Sequence, residues 1–388
     1  MNRSRFLVLL VSAPIIVLIV VGGFLSHASA REGSYQHLRV FEDVVSLILN
    51  NYVEEVNAGN VMRGAMHGLA DGLDPDSAYV PQSHVATLAR PQAPGKGDVG
   101  LELTRQYLLR VIAARDGSPA ARAGIRTGDF IRMIDEKPTR DLSVLAGSRL
   151  LRGAPGTRVK LTVIRSNAAE PHDVELIREE RRVPAMAGSI IKPRIGLVRV
   201  PAFGDDVASR LKERLAALKQ QGADHAIIDL RGTAEGSLES GFTAARLFVA
   251  SGVLGIHQSR TTKSPITARA GDGTITVPLT LLVNGGTAGA AELFAAALSG
   301  TGRASLVGER TTGRVGMQEL VMLPDGSALW LTTSRYLTSK DVPIHEKGLT
   351  PEVVVESPDV EFLSAAPIAD PVLEKAIELV SSPQKQAA

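Results

Sequence analysis

The sequence predicts an α/β protein in which a helical N-terminal segment, a small β-rich domain and a larger strand–helix core follow one another. Three observations lead there. Residues 35–70 space apolar side chains at helical intervals, the stretch from 97 to 168 switches to short strands with glycine turns, and strands and helices alternate from 195 onward. That alternation argues for a mostly parallel sheet with helices packed on it. A chain of 388 residues is expected to hold two or three domains, and 44% hydrophobic against 22% charged residues is ordinary globular composition. A net charge of +2, without a long block of one sign, gives no reason to expect nucleic acid as a partner. The absence of cysteine removes disulfides, thiolate metal sites and a thiol nucleophile from consideration.

Taken in order, Arg3 and Arg5 precede an uncharged run over 6–26, and Ala28-Ser29-Ala30 follows. That pattern is a secretory signal with cleavage after Ala30, or a retained membrane anchor, since the run is long enough to span a bilayer and Pro14 is tolerated there. Both readings place the remainder outside the cytoplasm. In 35–70, Leu38, Phe41, Val45, Leu49 and Tyr52 predict a helix that buries one face. The proline- and glycine-rich stretch 90–97 reads as a linker. Short strands are expected at 99–103, 107–112, 130–134 and 159–165, with a capped short helix from Ser118 to Gly124 and a second around 143–151. The core begins with a strand at 195–200, then a helix with Asp205 or Asp206 as N-cap. A buried strand at 226–230 leads to a helix through Phe248, and a buried strand at 279–283 leads to an alanine-rich helix ending near Gly300. Pro324-Asp325-Gly326-Ser327 is a hairpin turn, and Asp370-Pro371 opens a last helix. The expected divisions are 1–30 (signal or anchor), 31–90 (helical region), 97–168 (β-rich domain), 183–360 (core) and 361–388 (C-terminal helix and tail).

Several segments in the right order resemble the C-terminal processing (tail-specific) serine peptidases. Gly72-Leu-Asp-Pro-Asp-Ser-Ala-Tyr79 is similar to the family's signature ahead of its PDZ domain. Ser118-Pro-Ala-Ala-Arg-Ala-Gly-Ile-Arg-Thr-Gly-Asp129 and Leu151-Arg-Gly-Ala-Pro-Gly-Thr157 resemble that domain. Ile227-Ile-Asp-Leu-Arg231, Val307-Gly-Glu309, Leu323 to Leu329, Thr332 to Tyr336 and Lys347 to Glu352 resemble the peptidase core. The resemblance implies a crotonase-like peptidase core with N-terminal helices and an inserted β-rich PDZ domain, cleavage of proteins near their C-termini, and no cofactor or metal.

The chemistry that such a peptidase needs is a serine hydroxyl, a neutral amine to take its proton, and donors for the oxyanion. The resemblance puts the nucleophile at the centre of Gly286-Thr287-Ala288-Gly289-Ala290-Ala291-Glu292, where Gly289 has no side chain. It puts the base in Gly313-Arg314-Val315, where Arg314 stays protonated and cannot accept a proton. Gln318 matches the glutamine that orients the family's lysine. The oxyanion loop reads Asp229-Leu-Arg-Gly-Thr-Ala-Glu-Gly236, with Glu235 on the first of the paired glycines and Gly236 on the second, and a carboxylate there is expected to oppose developing negative charge. Thr287 is read as an N-cap, with a substitute nucleophile as the competing role. Arg314 is read as a clamp on Glu235, a receptor for a peptide carboxylate, or a solvent-exposed side chain. The eight histidines show no HExxH spacing and read as structural or exposed.

The PDZ-like peptide site is expected at Gly100, Leu101, Glu102 and Leu103, where backbone amides would hold a terminal carboxylate and an edge strand would receive the peptide. The expected function is a non-catalytic peptidase homologue in the periplasm or on the outer face of the cytoplasmic membrane. It would bind protein C-termini as an adaptor or regulator, with an active relative or a second copy as a further partner. The alternative is a working endopeptidase with a relocated nucleophile.

Overall fold

A computed structural model of the chain describes residues 37–88, 97–165, 170–358, 362 and 369–381. The segment 1–30 and the linker at 90–96 lie outside the described residues. The chain divides into two compact units, the first ending at Leu69. Within that first unit a helix covers 37–51 as the apolar spacing predicts. Its expected face is only partly covered: Phe41 and Val45 are half-buried, whereas Leu38 and Tyr52 are each more than 60% exposed.

The second unit holds the β-rich domain and the core. The core's main sheet runs Ala187–Lys192, Ile195–Arg199, His225–Asp229, Leu279–Val283, Ala304–Gly308, Val353–Val354. Its first pair is antiparallel and the rest are parallel. Leu279–Val283 is buried at every position, because helices cover both faces of a parallel sheet. The helix Val207–Gln220 turns Val207, Leu211, Leu215 and Leu218 inward. Asp206 occupies the N-cap position as expected, but its side chain makes no capping bond and pairs with Arg210 one turn on, at 2.7 Å.

Helix Ala290–Gly300 is almost wholly buried, and its alanines allow close approach from several sides. A Cβ on Gly241 of helix Leu238–Ala245 would sit 2.3 Å from the Ala290 carbonyl, so only glycine permits that crossing. A second, antiparallel sheet joins Ala78–Val80, Ala328–Leu337, Val253–Ser259 and Lys263–Thr267, with Gly316–Met322 added across the hairpin at Pro324 to Ser327.

The β-rich domain orders Leu101–Gln106, Leu108–Ala114, Phe130–Ile134, Arg158–Ile164 and His172–Ile177 in one antiparallel sheet, with Leu101–Gln106 at a free edge among the described residues. Ser118 and Ser143 cap its two short helices, Pro119–Arg122 and Val144–Leu150. The chain enters and leaves the domain through a small antiparallel ribbon, Gly97–Asp98 against Glu179–Glu180. The last helix, Pro371–Ser381, is capped by Asp370, which accepts from the Leu373 amide at 3.0 Å.

Candidate functional site

Ligands of parallel sheets gather at the carboxyl ends of the strands. Here those ends carry the loops 230–236 and 284–289, and Asn284 laces them: its side-chain oxygen accepts from the amides of Gly232 (2.9 Å) and Gly286 (3.0 Å). Thr287 is fully buried, donates to the Leu230 carbonyl at 2.9 Å and accepts from the Asn284 amide at 3.1 Å. It is therefore neither the N-cap nor an accessible nucleophile, because both of its roles are spent holding the loop. The cap of helix Ala290–Gly300 is Gly289, with φ 61° and ψ −122°. That backbone is one that L side chains rarely adopt, although a Cβ there would meet nothing nearer than 3.7 Å.

Glu292, one turn into the helix, is fully buried. Its carboxylate accepts from the amides of Gly289 (3.1 Å), Gly313 (2.5 Å) and Arg314 (2.7 Å) and from the Thr311 hydroxyl. It thereby ties the Gly289 loop to the Arg314 turn. Burial pushes its carboxyl up to about 7, against the pull of those four donors. Acyl-transfer sites commonly use the nucleophile's own amide as an oxyanion donor. Here the Gly289 amide is already taken.

Arg314 does not clamp Glu235, nor is it free in solvent. Its Nε donates to Asp76 at 3.0 Å and its Nη1 to Glu102 at 3.4 Å. Burial opposes its charge, but Asp76 and Glu102 outweigh that and hold the guanidinium more firmly protonated than usual. Gln318 donates to the Thr332 hydroxyl at 3.2 Å.

Glu235 differs from its expected behaviour as well. Its two oxygens are held by Arg181 (2.5 Å) and Arg115 (3.3 Å), so two guanidinium groups compensate the charge that was expected to repel an oxyanion. Gly236 is required by geometry: at φ 133°, a Cβ would sit 2.2 Å from the Phe203 carbonyl.

A cleft of about 570 Å³ brings most of these residues together. It is lined by Gly100, Leu101 and Glu102 from the β-rich domain and by Glu235, Gly236, Gly289, Arg314 and Gln318 from the core. Gly100 has φ 78° and packs so tightly on Ser118 that a Cβ would lie 2.3 Å from the serine Cβ. Leu103 stands apart, since its side chain is 1% exposed and belongs to the domain's own core. In Glu102, loss of water raises the carboxyl above the usual range against the pull of Arg314, although 42% of the side chain still reaches solvent.

Sequence reasoning missed Asp76, Arg115, Asn284 and Glu292 as site residues. Asp76 and Glu292 were visible inside quoted motifs, but the contacts that join those motifs were not.

The cleft's ionisable side chains are carboxylates and arginines. Among its lining residues there is no lysine or histidine, and its carboxylates are Asp98, Glu102 and Glu235, each paired with arginine. Its hydroxyls are those of Ser148 and Ser237. Ser237 caps helix Leu238–Ala245 and is bonded to the Ser240 hydroxyl at 2.7 Å. Among the described residues no cluster of His, Asp and Glu could hold a metal ion, and no helix is long and apolar enough to cross a membrane.

Residues 194–355 match peptidase family S41, and residues 110–165 match the PDZ domain. The carboxy-terminal-processing protease of Bartonella bacilliformis is 28% identical over 361 residues, covering 88% of this chain and 83% of that protein. The carboxyl-terminal-processing protease of a Picosynechococcus species is 30% identical, covering 71% and 68% of the two chains. Among solved structures, the photosystem II D1 C-terminal processing protease superposes with a TM-score of 0.68 at 26% identity, over 80% of this chain and 85% of that one. A mixed α/β core with a PDZ domain, C-terminal processing proteases as relatives and an ordered run of shared motifs lead to one assignment: the chain belongs to peptidase family S41.

Proposed function

We propose that this protein captures protein C-termini without cleaving them, acting as an adaptor or regulator. One observation carries the reading: the guanidinium of Arg314 stands in the cleft, ion-paired to Asp76 and Glu102, beside a Gly289 that has no side chain. A serine peptidase's base must accept a proton, and a doubly paired guanidinium does not. Loss of nucleophile or base in a serine-peptidase site removes on the order of 10⁶ in turnover. What supports capture is the free edge of strand Leu101–Gln106, which has backbone groups to add a peptide strand, with Gly100 at its mouth. The partners are chains ending in a free carboxylate, with an active relative or a second copy as the assembly context. We place the protein outside the cytoplasm, in the periplasm or on the outer face of the membrane, on the basic start and apolar run at its N-terminus. Mass measurement of the mature N-terminus tests that placement.

The test of the main reading is turnover of an unfolded protein with an apolar C-terminus, run beside labelling by a serine- and threonine-reactive phosphonate. Neither cleavage nor labelling is expected. Labelling that Thr287→Ala or Ser237→Ala abolishes would establish a relocated nucleophile and overturn it.

A further inference from the structure

Arg314 and its turn also line a second cavity, of about 500 Å³, to which strand Leu108–Ala114 contributes Arg110 and the core contributes Arg310 and His345. Three nitrogens in its wall are bonded to no other residue. His345 is 6% exposed, and both of its ring nitrogens, with the Nε of Arg110, are buried without a partner. Native proteins rarely leave buried polar atoms unmet. The imidazole is seated against Gly316, where a Cβ would lie 2.7 Å from its Cε1. The wall also carries surplus positive charge: the guanidinium groups of Arg105, Arg110, Arg310 and Arg314 face the carboxylates of Asp76, Glu309 and Glu346. Asp76 is taken by Arg314, and Arg105 by Asp71. Glu309 accepts from the Ser357 amide at 2.8 Å, and Glu346 is exposed. Arg110 lies over the Phe130 ring at 5.9 Å and Arg310 donates its Nε to the Lys347 carbonyl, and neither has a carboxylate in ion-pair reach among the described residues.

We propose that this cavity binds an oxyanion of the phosphate class, free phosphate or a small phosphomonoester, through Arg110, Arg310 and His345. Two unpaired guanidinium groups match a dianion, whereas a single carboxylate would leave one of them uncompensated. An oxyanion brings acceptors only, which is what an arginine Nε–H and an imidazole N–H require, and a tetrahedral group offers them in several directions. The cavity is larger than the bare ion, so a small organic substituent can be accommodated. The proposal does not depend on the capture reading.

Calorimetric titration of the full chain with inorganic phosphate and with glycerol 1-phosphate tests the site, at constant ionic strength and about pH 8, where both probes are mainly dianionic. Saturable one-to-one binding is expected. Arg110→Gln and Arg310→Gln should each weaken it roughly 10-fold or more, the effect of losing a charge-assisted hydrogen bond. Lys212→Gln, which alters an exposed lysine on helix Val207–Gln220 outside the cavity, should leave it unchanged. In histidine-labelled protein, the His345 ring signals, assigned by their loss in His345→Gln, should shift during the titration. Binding of both probes, or of either alone, supports the site and tells free phosphate from phosphomonoester as its source. The absence of saturable binding by either probe up to about 10 mM overturns it. Binding that both arginine variants leave unchanged, or that leaves the His345 signals in place, overturns it equally. Arg310 is exposed, so Arg310→Gln carries the test if Arg110→Gln fails to fold.

Discussion

Glu292→Gln is the most exacting perturbation of the site, because charge and hydrogen bonding pull it in opposite directions. The carboxyl is fully buried and pushed from 4.5 up to about 7 in the folded protein, with burial as the chief cause. A raised folded pKa means the native state holds a proton that the unfolded chain has already released between those two values. Stability from this group is then complete below about pH 4.5 and is lost as pH rises through 7. Moving the carboxyl from 4.5 to about 7 corresponds to about 3 kcal/mol. Glutamine abolishes that dependence, but its amide nitrogen must face two donors from the set formed by Gly289, Thr311, Gly313 and Arg314. The mismatch costs about 1–3 kcal/mol at every pH. The variant should thus be the less stable protein at pH 5, and its deficit should close or reverse by pH 8. Urea unfolding of both proteins at pH 5, 6, 7 and 8, at matched m-values, measures the difference. Parallel stability–pH curves would refute the reasoning and would mean that the four donors keep Glu292 ionised throughout.

Three further outcomes follow from the same geometry. Gly289→Ser has room for its side chain but must take up φ 61° and ψ −122°, so it should fold with a stability loss of about 1–3 kcal/mol, measured by denaturant titration. Alone it should not hydrolyse an unfolded substrate; with Arg314→Lys, recovered cleavage would indicate an intact substrate groove. Gly236→Ala should be far more damaging, since its Cβ would lie 2.2 Å from a carbonyl oxygen at φ 133°, and soluble expression with a fall in melting temperature reads this out. Arg231→Ala should loosen helix Pro371–Ser381, because Arg231 joins Asp229 and Asp370 through paired bonds of 2.7–3.0 Å, and faster amide exchange in that helix would register it. Arg231 holds the Asp370 carboxyl below its ordinary range although burial opposes this, so the contact contributes above about pH 4 and should be lost on acidification in the wild type.

Much of the fold was legible because burial leaves a periodic trace. The run at 279–283 is apolar except for Thr280 and proved to be a central strand, and Ser118 with Gly124 marked both ends of a four-residue helix. The strands Val253–Ser259 and Lys263–Thr267 were not read, since polar residues such as the half-buried Gln258 and the exposed Ser264 break the apolar alternation. Site contacts were less legible for a different reason. The partners of Arg314 lie 238 and 212 positions away and those of Glu235 120 and 54, and spacing rules reach only neighbours on one helix or strand. The carboxylate at Glu235 was visible in the sequence; the two arginines that neutralise it were not. Its expected effect on an oxyanion therefore had the right residue and the wrong field.

The charges in this cleft also bear on why the substituted positions belong together. A lysine base works by alternating between neutral and charged states, which requires that no fixed anion pin its proton. Arg314 has two such anions, and one of them, Glu102, belongs to the PDZ strand. An isolated change of lysine to arginine would leave a permanent charge in a partly buried cleft, at a desolvation cost that is offset only if carboxylates are in reach. Asp76 supplies one at 6% exposure and Glu102 a second, while Glu235 meets the cation of Arg115 on the far side of the same cleft. The arrangement is self-consistent as a static ion network, which supports the proposed non-catalytic reading.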